Sequence, residues 1–128
     1  MLEPPILEID GQRFSTLEEF YEEVSRTLIP GTEWGQNLDA FNDILRGGFG
    51  TPEDGFTLVW RASDVSRRRL GYAETVRQLQ HRLTRSHPSN RAQVRTELEA
   101  AQAQRGPTVF DWLVRIISDH PDIRLVLA

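Results

Sequence analysis

"FTLVW", residues 56–60, is the stretch on which the fold turns. Pro52 and Gly55 punctuate the chain before it and a polar stretch follows, and its β-branched and aromatic content suits a buried strand. Working outward, "ILEID" at 6–10 is a second short apolar run, closed by the turn dipeptide Asp10-Gly11. A third, "IRLVL" at 123–127, begins just after His120-Pro121. Long segments of helical pattern separate the three. Crossovers of that length favour parallel pairing, so the expected fold class is α/β: a small three-stranded parallel sheet covered by helices.

The helices can be placed from apolar spacing and capping residues. Leu17, Phe20, Tyr21, Val24 and Leu28 predict a first helix over 16–28, with Ser15 and Glu18 as its capping box and Pro30-Gly31 beyond its end. A second should open at Asn37, stop at Gly47-Gly48 and bury Leu38, Phe41, Ile44 and Leu45. A short helix is expected from Ser63 to Leu70. Tyr72, Val76, Leu79 and Leu83 then mark a helix face, "SHPSN" at 86–90 breaks it, and 91–104 has high helix propensity. Residues 71–106 therefore read as a helical hairpin ahead of the last helix, which Thr108 and Asp111 cap and Val109, Leu113, Ile116 and Ile117 anchor. No repeat or linker marks a second domain, so residues 1–128 are expected to form one.

Composition narrows the function. The absence of cysteine excludes a disulfide scaffold, a thiolate metal site and a cysteine nucleophile, and is compatible with the reducing cytoplasm. The opening "MLEPPILEID" lacks the basic and apolar regions of a signal peptide, and no apolar run approaches the roughly 20 residues of a membrane span. His81, His87 and His120 are scattered without the spacing of two metal ligands on one helix face, so neither a metal nor a cofactor is expected. His120 suits the negative end of the last helix. "RGGFG" at 46–50 follows a helix rather than leading into one, which makes it a helix stop and not a phosphate loop. "SRRRL" at 66–70 reads as a solvated face.

Charge is divided unevenly. Residues 1–60 carry 12 acids against 3 bases, whereas residues 61–128 carry 7 against 12. An acidic first half argues against direct binding of nucleic acid and points to a cationic partner. Within it, Asp39 and Asp43 lie one turn apart on the outward face of the second helix, where like charges cost about 0.2–0.5 kcal/mol. The helix dipole at Asp39 and an ion pair from Arg46 to Asp43 can offset that. Hydrolysis by paired carboxylates would need a concave pocket that drives their proton affinities apart, which outward helix positions do not supply, so no catalytic residue is expected. Rigidly presented carboxylates do suit a cationic surface on a partner.

The stretch "WGQNLDAFNDIL", 34–45, resembles the contact motif of the barstar family, with its glycine, asparagine, leucine and both aspartates at the same spacing. "LVWR" at 58–61 and "DIRLVLA" at 122–128 are similar to the family's second and last strands, so the resemblance covers about residues 6–70 and 107–128 and leaves the hairpin without a counterpart. It implies a three-stranded parallel α/β domain that inhibits a secreted ribonuclease by plugging its basic active site, protecting the bacterial cell that makes it. It further implies a partner-binding face of Glu33, Trp34, Gly35, Asp39, Asn42, Asp43, Arg46 and Phe49, directed at a cognate basic ribonuclease or toxin. Asp39 and Asp43 would sit where RNA phosphates bind, with Trp34 and Phe49 as aromatic edges. Glu33 and Asn42 stand where the family's best-known member has a tyrosine and a tryptophan, and Arg115 where it has a glutamate; these departures imply a different cognate target. A non-inhibitory interaction module on the same fold is the alternative.

Overall fold

A computed structural model describes residues 3–47 and 49–128. Strands β1 (Ile6–Asp10), β2 (Phe56–Arg61) and β3 (Ile123–Leu127) form one parallel sheet in the order β1-β2-β3. Among the described residues six α-helices connect them: α1 (Leu17–Thr27) and α2 (Leu38–Leu45) between β1 and β2, then α3 (Ser63–Arg69), α4 (Tyr72–Arg85), α5 (Arg91–Gln102) and α6 (Val109–Ser118) between β2 and β3. Short 3-10 turns follow β1 and join α4 to α5.

Register explains which residues make the core. Leu7, Leu58 and Leu125 align across the sheet, as do Ile9, Trp60 and Leu127, and this face meets the helices everywhere but at Leu127, which is exposed. Trp60 is fully buried beneath Phe14, Phe20 and Phe110, whose ring centroids lie 6.0, 5.7 and 5.1 Å from its own. Its indole N–H donates to the buried Ser66 hydroxyl at 2.9 Å, so the central strand also holds α3. Gly11 permits that approach, since a Cβ there would stand 2.5 Å from the Ala62 carbonyl oxygen.

The helices that cover the sheet leave its second face open. Ile6 is 62% exposed, Glu8, Arg61 and Arg124 are exposed, and Thr57, Val59 and Val126 are only half-buried. A sheet built in one direction through right-handed crossovers delivers every connection to the same side. Arg61 spans the open face to Glu8 with two hydrogen bonds of 2.8 and 2.9 Å, and those bonds hold the Glu8 carboxyl below its usual range.

The first helix starts one residue later than its expected cap. Thr16, not Ser15, accepts from the Glu19 N–H, and Glu19 accepts from the Ser15 N–H at 2.8 Å. Glu18 is thereby released to pair with Arg77 and Gln78 of α4. Beside them Glu74, almost wholly buried, accepts from the Leu17 N–H at 2.8 Å and from Arg77 at 2.7 Å. Burial pushes the Glu74 carboxyl up, but hydrogen bonds from Arg77, Leu17 and Gln78 with the Arg77 charge more than offset it, leaving it below the usual range. The hairpin of α4 and α5 has an apolar cluster of its own, Leu79, Val94, Leu98 and Ala101, with Trp112 of α6 packed against it.

The arginines of α3 are more than a solvated face. Arg67 lies 4.6 Å from the centroid of the Phe110 ring, and Arg69 donates to the Gln12 carbonyl at 2.9 Å. Arg68 alone keeps to its own helix, pairing with Asp64.

Candidate functional site

The apolar half of α2 is wholly committed to the core. Phe41, Ile44 and Leu45 are buried, Leu38 packs beside them, and the Phe41 ring meets Phe20 edge-on at 5.2 Å. Asn37 caps the helix by accepting from the Ala40 N–H at 2.8 Å. Gly47, at φ +92°, takes the left-handed conformation just past the last turn, while Gly48, the second half of the expected stop, lies outside the described residues. With rotation and ends fixed, the polar half of α2 faces away from the core.

Asp39 and Asp43 are both exposed there. Asp39 is in the first turn, where the free N–H groups favour an anion. Among the described residues Asp43 pairs with Arg46 alone, at 3.6 Å, and both side chains of that pair are more than half exposed. A contact of this kind contributes about 0–1 kcal/mol and leaves the carboxylate available. Among the described residues Asp39 has no ion pair.

The flanking candidates divide into exposed and anchored groups. Glu33, Gly35 and Arg46 are exposed, and Phe49 is 52% exposed in the loop after α2. Trp34 instead turns back on the molecule: its ring meets Tyr21 edge-on at 5.5 Å and its indole N–H donates to the Ser25 hydroxyl at 2.6 Å. It fastens the loop to α1. Asn42 is half-buried because His120 Nε2 donates to its Oδ1 at 2.7 Å, tying the middle of α2 to the turn after α6. The sequence offered His120 only a dipole role; a contact 78 residues away carries no local signal. Arg115 is exposed on α6 and has no ion pair among the described residues.

One wall of this face was not foreseen. An open groove of about 780 Å³ runs between the start of α2 and α4, with Asp39 and Glu18 on one side and Arg77, His81, Arg82 and Arg85 on the other. Tyr21 lines it, and burial, with the nearby Glu18 charge, pushes the phenol up. No group of three histidine, aspartate or glutamate side chains able to hold a metal occurs among the described residues, and no described helix is long and apolar enough to cross a membrane.

A parallel sheet is backed on one face by helices, and two carboxylates are displayed on a helix whose other side is core. The chain belongs to the barstar family: the family model described as barstar (barnase inhibitor) matches residues 5–104. That span runs through the hairpin, which the resemblance left out, and stops before α6 and β3. No curated protein matches the chain.

Proposed function

We propose that this protein is an inhibitor of a small basic ribonuclease or related toxin, which it blocks by seating the Asp39 and Asp43 face of α2 in the enzyme's cationic active site. The observation that carries the reading is the exposure of both aspartates on a helix whose opposite side is buried, in a member of a family described as barnase inhibitors. Two carboxylates one turn apart repel within the free protein, and a cationic cleft removes that penalty on binding. Glu33, Phe49 and the exposed edge of α2 complete the face, while Trp34 and Asn42 hold its loop and helix in place. Inhibition on this reading is steric and electrostatic, with no covalent step and no cofactor. We take residues 1–128 as one binding unit carrying the hairpin as an insertion, acting in the cytoplasm of a bacterial cell that it protects.

The test is RNA cleavage by purified barnase, and by a panel of other small basic ribonucleases, in the presence of the full chain. Inhibition that titrates to a fixed stoichiometry, weakens as salt is raised and fades in the Asp39→Ala, Asp43→Ala double variant is expected. Equal inhibition by parent and double variant would place the contact elsewhere, and binding without inhibition would mark the non-inhibitory module.

A further inference from the structure

The groove beside α2 has walls of opposite charge, and its basic wall is only partly used by the fold. Arg77, His81 and Arg85 follow one another at four-residue intervals on α4 and share a face. Arg77 is consumed by Glu18 and Glu74. Arg82 lies 5.1 Å from the centroid of the Trp112 ring, a contact that leaves its N–H groups undirected. His81 and Arg85 are exposed, and neither Arg82 nor Arg85 has an ion pair among the described residues.

We propose that His81, Arg82 and Arg85 form a second contact surface that receives an acidic side chain of the same basic protein whose cationic site takes Asp39 and Asp43. The inference rests on the inhibitor reading and deepens it by stating a property of the partner: an acidic group one groove-width from its basic cleft. Two observations select that occupant. The groove is continuous with the α2 face, because Asp39 and Asn37 line it as well as the basic residues of α4. A polyanion such as RNA would have to lie against Glu18 and Asp39 to reach the arginines, whereas a protein surface with both signs satisfies both walls at once. The hairpin thereby becomes a selectivity element: a basic protein without the acidic group leaves two arginines uncompensated.

The experiment titrates the full chain, by calorimetry and by amide chemical shifts, with two peptides. One carries four arginines, two glycines and four serines; the other replaces the serines with glutamates. The mixed peptide is expected to bind about five- to tenfold more tightly, with its glutamates shifting His81 and Arg85. That gain should vanish in the His81→Ala, Arg85→Ala double variant and persist in Arg95→Ala on α5, with thermal midpoints confirming that every variant folds. Equal binding of both peptides by the parent would overturn the groove and leave the inhibitor reading standing, provided the arginine peptide still depends on Asp43. An arginine peptide indifferent to Asp43→Ala would overturn both. A short uridine oligonucleotide that outcompetes the mixed peptide at His81 and Arg85 would assign the groove to nucleic acid and overturn the proposal.

Discussion

Two pairs of helix acids in this chain are used in opposite ways. Glu18 and Glu74 are knitted into the fold: Glu74 is almost fully buried, accepts the first N–H of α1 and grips Arg77, which also holds Glu18. Asp39 and Asp43 are exposed, repel each other and have, among the described residues, a single weak ion-pair partner between them. In the first pair every acceptor site answers a donor of the same molecule, so removal leaves orphans. In the second, the described residues offer only the helix start to Asp39 and an exposed arginine to Asp43, so removal relieves repulsion and gives up little. Carboxylates that stabilise and carboxylates that wait for a partner are thus told apart by who satisfies them, not by residue type.

The sharpest way to break that contrast is Glu74→Ala. It strands the buried Leu17 N–H and one side of Arg77, and should lower unfolding free energy by about 2–3 kcal/mol in urea titrations. If Glu74→Ala proves as stable as the parent, the two acid pairs are alike after all. Asp43→Ala should do the reverse, weakening a basic ribonuclease by about tenfold or more while the thermal midpoint stays or rises. Asn42→Ala tests the tether to His120 and should cost about 1 kcal/mol of stability, read from the same titrations. The smallest effect is assigned to Arg46→Ala: loss of an exposed pair changes stability by less than about 0.5 kcal/mol, yet removal of a like charge should strengthen binding a few-fold.

Acid sharpens the same contrast through linkage. The Glu74 carboxyl is depressed in the folded state, so its contribution is fully present above the unfolded value of about 4.3 and is lost as pH falls through the lower folded value. Glu74→Gln should therefore flatten the fall in stability below about pH 4.3, measured as urea midpoint against pH.

The elements were legible because each announces itself locally. Asn37, the Thr108 and Asp111 box and the apolar stripe of α2 are read within one or two helical turns, and all stand where the sequence put them. Tertiary choices were not legible. Ser15 and Thr16 cap equally well on paper, and the decision rests on Glu18 finding Arg77 and Gln78 some 60 residues away. Arg67 and Arg69 are exposed, as expected of a solvated face, but their contacts with Phe110 and Gln12 arise only when distant segments are brought beside them. For the site, the exposure of Asp39 and Asp43 followed from helical periodicity alone. The inward turn of Trp34 and the basic wall of the groove depend on α1 and α4, elements that no local window contains.

The bond from Glu74 to Leu17 also has a kinetic side. The N-terminus of α1 is completed by a residue 57 positions later, on a hairpin whose apolar cluster is made largely of its own local contacts. Such a hairpin can form early and dock late, because closing the long loop to α1 is the step that costs chain entropy. Interactions absent from the rate-limiting barrier govern how fast a protein comes apart rather than how fast it assembles. Glu74 is accordingly the latch of the molecule: its loss should leave the folding limb of the chevron in place and raise the unfolding limb.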